Sequence, residues 1–312
     1  MADPQSEISA DRGHLLTERR NDASASLDAL DTEAALRVIN AQDAAVPAAV
    51  AAAIPAIACL VDAVVAGMRR GGRLVYVGAG TSGRLGVLDA SEVPPTFQAD
   101  PGRVIGIIAG GDGALRVSSE GKEDDGHGAV AELEALRLTD ADTLVGIAAG
   151  GTTPYVWGAV AFAKRRGAAT GFVTCVPLAD LPASRDVGID HGVELLVGPE
   201  VVTGSTRMKA GTATKLALNM ISTLAMVRLG KTWGNLMIDV KASNAKLRDR
   251  AVRIVQSQTD LSREAALATL EQADGSTKLA IVMARLGLDA DAARARLDEH
   301  GGRLRPLLGD PR

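Results

Sequence analysis

Five short apolar runs, each close to a glycine-rich or polar turn, recur along the first two thirds of the chain. They lie at 73–80, 103–111, 142–151, 169–176 and 192–198. Segments with helical spacing follow the first three runs. Runs that stay apolar throughout, without alternating polar residues, are typical of strands covered on both faces. The pattern therefore predicts an α/β fold in which a parallel sheet of about five strands is flanked by helices.

The remaining periodic segments predict further helices. Long ones are expected at 45–68, 207–230 and 242–258, and three short amphipathic ones, each introduced by Asp or Ser, at 261–272, 277–286 and 290–299. We divide the chain accordingly into an N-terminal helical arm (1–45), a sheet domain (46–258) and a small C-terminal three-helix bundle (259–312).

The alanine-rich stretch 45–68 is long enough to be mistaken for a membrane span. It contains Pro47, Pro55 and Asp62, and an acid at mid-span costs about 2.5–3.5 kcal/mol on insertion scales. The first residues of the chain are polar and lack the apolar segment of a secretory signal. We therefore expect a buried helix in a cytoplasmic protein with no membrane partner.

Composition narrows the range of partners and cofactors. Two Trp, two Tyr and three Phe offer few surfaces on which bases could stack, and the formal net charge of -4 comes from scattered residues. Nucleic acid is therefore not an expected partner. Cys59 and Cys175 lie in apolar sequence and are expected to be small buried side chains. The histidines, at 14, 127, 191 and 300, show no metal-ligand spacing, so we expect no metal.

The turn at 78–84, with the sequence GAGTSGR, is the strongest local signal for a ligand. Its hydroxyls and arginine stand at the start of a predicted helix, where backbone amides and the helix dipole favour anions. The glycine spacing also fits a dinucleotide fingerprint, and many such turns only join a strand to a helix. Hydroxyls replace the small apolar residues of a dinucleotide site, so a phosphate or phosphosugar is the favoured ligand.

Two more hydroxyl-rich turns follow the third and fifth runs, at 150–154 (GGTTP) and 203–207 (TGSTR). Each alone is more typical of a helix cap than of a ligand site. The carboxyl ends of parallel strands, however, share one edge of the sheet, where ligands bind. The candidate phosphosugar-binding residues are therefore Gly80, Thr81, Ser82, Gly83, Arg84, Thr152, Thr153, Ser205, Thr206 and Lys209.

Two glutamates are candidates for acid–base chemistry. Glu92 lies in DASEVPP, at the predicted end of the first helix, where the helix dipole disfavours an anion. Glu123 lies in EGKEDD, at the predicted start of the second helix, where acids are common for structural reasons alone. Each residue can therefore be a general acid or base, or part of an ordinary helix end.

The chain resembles the N-acetylmuramic acid 6-phosphate etherase family in four segments: GAGTSGRLGVLDASEVPPTF (78–97), EGKEDD (120–125), GPEVVTGSTRMKAGTATKLALNM (198–220) and GNLMIDV (234–240). The likeness begins at LLTERRNDASASLD (15–28) and continues to LDEHGGRLR (297–305). It implies a sugar isomerase (SIS) domain, a homodimer and a C-terminal bundle similar to ubiquitin-associated domains. It also implies a lyase that releases D-lactate from N-acetylmuramate 6-phosphate, with Glu92 as proton donor and Glu123 as the second catalytic group.

The implied chemistry suits two carboxyl groups. β-Elimination from an open-chain sugar needs a base at C2 and an acid at the ether oxygen on C3. Water then adds to the unsaturated aldehyde with the roles reversed, so no cofactor is required.

One turn departs from the family pattern. The family commonly has Ser-Gly-Arg-Thr-Pro after the third strand, whereas Gly150 and Thr152 take the first and third of those positions here. A hydroxyl and a cation are lost at this turn. Two other functions stay open: a non-catalytic phosphosugar sensor similar to glucokinase regulatory protein, and an aldose–ketose phosphosugar isomerase.

Overall fold

The sheet is parallel throughout, as predicted. A computed structural model of the chain describes residues 12–239 and 245–312. The strands are β1 (Leu74–Gly78), β2 (Val104–Ile108), β3 (Thr143–Ile147), β4 (Ala169–Thr174) and β5 (His191–Glu194), in the order β2-β1-β3-β4-β5. Gly78 is level with Ile108 on one side and with Ile147 on the other. The carboxyl ends of these three strands therefore meet at one edge, called the carboxyl edge below.

The helices follow the predicted order along the chain. They are α1 (Thr32–Asp43), α2 (Val46–Arg69), α3 (Gly80–Phe97), α4 (Val130–Leu136), α5 (Pro154–Arg165), α6 (Pro182–Val187), α7 (Lys209–Arg228), α8 (Ala245–Gln258), α9 (Arg263–Gln272), α10 (Thr277–Leu286), α11 (Ala290–Glu299) and α12 (Leu304–Leu308). The three short amphipathic segments form α9, α10 and α11. The additional helices α6 and α12 are too short to leave a periodic pattern in the sequence.

Helices cover both faces of the sheet, which explains why its strands are apolar on both sides. On one face, Tyr76 and Val145 belong to a core shared with α2, α3 and α7. On the other face, Val75 and Leu144 belong to a core shared with α4 and α5. Successive residues of a strand point to opposite faces, and burying each such side chain contributes about 1.5–3 kcal/mol. The two layers together hold the carboxyl edge in place.

α2 is half-buried, although the sequence predicted a buried helix. Val50 and Leu60 face the core, whereas Ile54 is 51% exposed. Cys59 is exposed as well, and its predicted burial is wrong because a helix packed on a sheet buries one face only. By length and composition alone, the helical stretch 32–69 could cross a membrane. Its inner face packs in the core beside the sheet.

A third apolar core lies in the C-terminal part of the chain. It combines Trp233 with side chains of α8 to α11, including Val255, Leu270, Ile281 and Leu297. α8 therefore packs with the helices that follow it. The predicted division of the chain into 1–45, 46–258 and 259–312 stays a prediction, and residues 1–11 of the arm lie outside the described residues.

Candidate active site

The first glycine turn joins β1 to α3 and leaves no room for a side chain at Gly78 or Gly83. A Cβ at Gly78 would lie 2.6 Å from the amide nitrogen of Gly83, and a Cβ at Gly83 would lie 2.6 Å from the Ile108 side chain. Gly80 has φ +51°, in the left-handed region that favours glycine. Gly83, a predicted ligand-binding residue, therefore serves the packing of helix on strand, while Gly80 turns the chain.

α3 begins at the carboxyl edge and points its first amides there. Ala79, at the N-cap position, has no side chain that could accept a hydrogen bond from them. Thr81 and Ser82, in the first helical turn, are half-buried. In the sheet, β1 lies between β2 and β3, so the strand order reverses at β1. Open α/β sheets bind ligands at such a reversal. Amides at a helix start, aided by the helix dipole, suit a phosphate.

Arg84 is engaged within the protein. Its guanidinium donates hydrogen bonds to the carbonyl oxygens of Ala114 at 2.8 Å and Leu115 at 3.2 Å. These bonds tie α3 to the chain that leaves β2 and leads towards Glu123. The predicted phosphosugar-binding arginine therefore positions that segment in this structure.

The second hydroxyl turn follows β3 and is fixed by Trp157. The indole nitrogen of Trp157 donates to the carbonyl oxygen of Gly151 at 2.7 Å. Thr153 takes the N-cap position of α5, but its side chain makes no capping bond. Thr152 and Thr153 are both half-buried at the carboxyl edge. The Thr153 hydroxyl is thus not used to cap the helix.

The third hydroxyl turn leads into α7, whose N-terminus is already occupied. Glu200 is 1% exposed and accepts hydrogen bonds from the amides of Lys209 at 3.0 Å and Ala210 at 2.9 Å. The ammonium group of Lys209 is buried and donates to Gln42 Oε1 at 3.1 Å. α7 therefore offers its first amides to Glu200, and the predicted ligand Lys209 points to α1.

Two of the three hydroxyl turns approach each other at the edge that the parallel sheet predicted. A Cβ at Gly211, in the first turn of α7, would lie 3.4 Å from Thr81 Cγ2 and 3.5 Å from the carbonyl oxygen of Thr206. Ser205, beside Thr206, is half-buried. The first and third turns therefore stand close together at the carboxyl edge.

The N-terminal arm crosses the same edge, which the sequence pattern did not predict. Thr17 Oγ1 lies 3.5 Å from the position of a Cβ at Gly150. Glu18 Oε2 lies 3.3 Å from the position of a Cβ at Gly204. Residues 17 and 18 therefore lie between the second and third hydroxyl turns.

Glu123 reaches the carboxyl edge on a loop. A helix was predicted to start at this residue, but α4 begins only at Val130. Gly126 and Gly128 lie between the two positions, and glycine disfavours a helix there. The carbonyl oxygen of Glu123 accepts a hydrogen bond from the amide of Tyr155 at 3.0 Å, in the first turn of α5. Glu123 is half-buried and lies beside the second hydroxyl turn.

Gly158→Ala is expected to displace the Glu123 loop. A Cβ at Gly158 would lie 1.7 Å from the carbonyl oxygen of Gly126, so α5 and the loop must separate. Overpacking of this kind costs about 1–3 kcal/mol, and we expect a lower free energy of unfolding in a urea titration. Gly113→Ala is the control, because a Cβ there meets nothing within 4 Å. Equal unfolding midpoints for the two variants would contradict the close contact.

Glu92 does not reach the carboxyl edge within one chain. α3 continues past Glu92, through Pro94 and Pro95, to Phe97, so the predicted helix end is wrong. Glu92 is exposed and lies about three turns, or about 18 Å, beyond Gly80 along the helix axis. α3 also packs on the face of the sheet opposite α5, where the Glu123 loop is attached. One chain therefore keeps the two candidate carboxylates apart.

A buried aspartate fixes the Glu92 segment of α3 against α7. Asp89 is 5% exposed and accepts hydrogen bonds from the Asn219 side chain at 2.8 Å and the Ser222 hydroxyl at 3.0 Å. Burial raises the pKa of the Asp89 carboxyl above its ordinary value, although both donors act to lower it. Glu92 therefore stands on a helix surface that α7 holds in place.

Curated relatives match the chain along nearly all of its length. An N-acetylmuramic acid 6-phosphate etherase from Synechococcus sp. (strain CC9605) is 55% identical over 306 residues, which cover 98% of this chain and 96% of the relative. One from Streptomyces avermitilis is 51% identical and covers 96% of each chain. The chain belongs to the N-acetylmuramic acid 6-phosphate etherase family. The resemblance seen in the sequence motifs is thereby confirmed.

Two domain models match parts of this etherase-family chain. The N-terminal SIS domain of glucokinase regulatory protein matches residues 56–164, and the C-terminal lid domain of that protein matches residues 234–277. A phosphoheptose isomerase from Francisella tularensis has a TM-score of 0.44 and 19% identity, covering 62% of this chain and 98% of that one. The domain models agree with the parallel SIS-type sheet and the helical C-terminal part.

Most predicted site residues of the etherase-family chain gather at the carboxyl edge: Gly80, Thr81, Ser82, Thr152, Thr153, Ser205, Thr206 and Glu123. Glu92 stands outside this group. The sequence pattern also missed Glu18 and Asp89. Glu18 lies in the segment LLTERRN and Asp89 in DASE. Both segments belong to the motifs through which the chain resembles the family.

Proposed function

We propose that the chain is a cofactor-independent lyase that converts N-acetylmuramate 6-phosphate into N-acetylglucosamine 6-phosphate and D-lactate. The observation that carries this proposal is 55% identity to a relative of that name over 98% of the chain. Glu92 and Glu123 stand in the two acidic motifs through which the chain resembles the family. The hydroxyl-rich turns at the carboxyl edge support a phosphosugar as the substrate.

In the proposed reaction, a carboxylate removes the proton from C2 of the open-chain sugar. The C3–O bond breaks as a carboxyl group protonates the departing lactate oxygen. Water then adds at C3 of the unsaturated aldehyde, and a proton returns to C2, so the net change is hydrolysis of the ether. Positioned proton transfer of this kind contributes about 10²–10⁴-fold, and we assign Glu92 and Glu123 to it.

A homodimer would bring together the two glutamates that one chain keeps apart. A hexose phosphate anchored at Gly80 is too short to reach Glu92 of its own chain, which lies about 18 Å along α3. Glu92 of a second subunit can meet the Glu123 loop if the exposed face of α3 lies against that subunit. Each active site would then contain one glutamate from each chain.

The face between α2 and α7 suits such a dimer. It carries a groove of about 450 Å³ lined by Ile54, Met220, Leu224 and Val227, all of them exposed. Exposed apolar surface of this kind marks interaction sites, and a two-fold dimer buries the same patch of both subunits. Asn219 lines this groove, and its side chain also donates a hydrogen bond to Asp89. Asp89 precedes Glu92 on α3 by about one helical turn. The groove and the Glu92 segment therefore adjoin.

The proposed products place the protein in amino-sugar catabolism and cell-wall recycling. We propose a cytoplasmic location, because the substrate is a phosphorylated metabolite and both cysteines are free thiols. The proposed ligands are small phosphosugars, with no nucleic acid or membrane as partner.

A product assay in isotopically labelled water tests the proposed reaction. We expect the purified protein to release D-lactate from N-acetylmuramate 6-phosphate, with deuterium from heavy water at C2 and ¹⁸O at C3 of the sugar product. Label in the lactate oxygen would indicate direct displacement. Tight binding of the phosphosugar without any D-lactate would contradict the lyase and indicate a sensor.

Ser82→Ala is expected to raise KM about tenfold, because it removes one hydrogen-bond donor to a charged phosphate. Turnover at saturation should change little, since Ser82 stands at the start of α3 and away from the proposed proton transfers. Ser257→Ala is a matched control, because the Ser257 hydroxyl bonds the Ile254 carbonyl within its own helix. An unchanged KM for Ser82→Ala in initial-rate measurements would remove this turn from the substrate site.

A further inference from the structure

The N-terminal arm is anchored to the segment that precedes α7. The Ser24 hydroxyl donates to the carbonyl oxygen of Val201 at 2.8 Å. The Asn21 side chain donates to the carbonyl oxygen of Pro199 at 3.0 Å. On the other side of residues 17 and 18, Leu15 is buried in the core shared with α5. The arm is therefore attached on both sides of the stretch that crosses the carboxyl edge.

Glu18 is held in a defined orientation at this edge. The Thr17 hydroxyl donates to Glu18 Oε1 at 3.3 Å, and Thr17 itself is 1% exposed. The other oxygen, Oε2, lies 3.3 Å from the position of a Cβ at Gly204. A glycine at 204 therefore leaves this oxygen beside the third hydroxyl turn, where a side chain would cover it.

Glu18 is exposed at this edge. Within residues 12–239 and 245–312, it takes part in no ion pair. A carboxylate only accepts hydrogen bonds. It repels a phosphate and attracts neutral donors such as sugar hydroxyls and amide N–H groups. Its chemistry thus complements the hydroxyl and acetamido N–H groups of a phosphosugar, and neither its phosphate nor a lactyl carboxylate.

The geometry points to Glu18 as a substrate-binding residue that accepts hydrogen bonds from hydroxyl or acetamido N–H groups of the sugar. This assignment rests on the proposed function, because it takes the carboxyl edge as the phosphosugar site. The substrate then lies with its phosphate at the start of α3 and its neutral polar groups towards the arm. The arm forms one wall of the site and orients the sugar by charge.

Two substitutions test this role against a matched control. Glu18→Ala removes the acceptor, and Glu18→Gln keeps the size and one neutral oxygen. Asp28→Asn is the control, since Asp28 is an exposed carboxylate of the same arm, in the turn Leu27–Ala29. Calorimetry measures the affinity of each full-length variant for N-acetylglucosamine 6-phosphate and for inorganic phosphate, and a lactate assay measures KM and kcat.

We expect Glu18→Ala to weaken N-acetylglucosamine 6-phosphate binding and to raise KM by at least about tenfold, the effect of losing a hydrogen bond to a charged group. Glu18→Gln should fall between Glu18→Ala and the wild type. Affinity for inorganic phosphate should stay the same or increase in both variants, because a nearby negative charge is removed. Asp28→Asn should match the wild type in every measurement.

Two results would overturn the assignment. One is an affinity of Glu18→Ala for N-acetylglucosamine 6-phosphate within about twofold of the wild type, well below the effect of a lost charged hydrogen bond. The other is an equal loss for inorganic phosphate, which would show that Glu18 acts through the placement of the arm. Failure of the wild type to release D-lactate would count against the proposed function, while the calorimetric comparison would still decide the role of Glu18.

Discussion

Glu92→Gln and Glu123→Gln are each expected to lower kcat at least about a hundredfold, because each removes a positioned proton donor or acceptor. Both substitutions preserve the shape of the side chain. Glu92 is exposed and Glu123 is half-buried, so thermal unfolding should shift little. KM should change less than kcat, since the proposed phosphate site lies at the start of α3. Initial rates of D-lactate release over a range of substrate concentrations give both constants.

Asp124→Asn is the matched control for the Glu123 variant. It neutralises an exposed carboxylate one residue further along the same loop. We expect wild-type rates for this variant. A glutamate variant that retained wild-type turnover would remove that residue from the mechanism, and a comparable loss in Asp124→Asn would attribute the effect to the charge of the loop.

The parallel sheet and the shared edge of the hydroxyl turns could be predicted because they depend on features visible in each segment. A strand such as β1 (Leu74–Gly78) is buried at every position, so its sequence is apolar without alternation. Strands that run in the same direction then place Thr81 and Thr206 at the same edge, although they are far apart in the chain. Topology rules supply this proximity without any detail of packing.

The end of α3 was mispredicted because packing outweighed a local signal. A proline inside a helix costs about 3 kcal/mol or more in the general case, and Pro94 and Pro95 therefore favoured a helix end near Glu92. Val93 and Phe97 are buried in the core on the inner face of α3, and such side chains each contribute about 1.5–3 kcal/mol. Burial thus keeps the chain helical to Phe97.

The roles of single polar residues were the least predictable. Arg84 stands in a phosphate-type motif, but two of its N–H groups donate to the nearby carbonyl oxygens of Ala114 and Leu115. Lys209 is buried against Gln42 of α1. The position of Glu18 follows from the path of the arm across the edge, which no periodic pattern records. Such contacts depend on tertiary arrangement, and sequence spacing does not encode them.

Mixed dimers test the second large expected effect, the recovery of activity from two inactive variants. If each site takes Glu123 from one chain and Glu92 from its partner, a dimer of one Glu92→Gln and one Glu123→Gln chain contains one complete site. Random reassociation of equal amounts should then restore roughly a quarter of the wild-type activity in a two-fold dimer. Each variant alone should retain about 1% or less.

The matched control mixes Glu92→Gln with the double variant Glu92→Gln, Glu123→Gln, which cannot form a complete site in any arrangement. Differently tagged subunits are unfolded, mixed and refolded, and the mixed dimer is purified through both tags before its D-lactate release is measured. The account predicts about half of the wild-type rate for that purified dimer, since one of its two sites is complete. A mixed dimer no more active than the control would show that Glu92 and Glu123 do not meet across subunits.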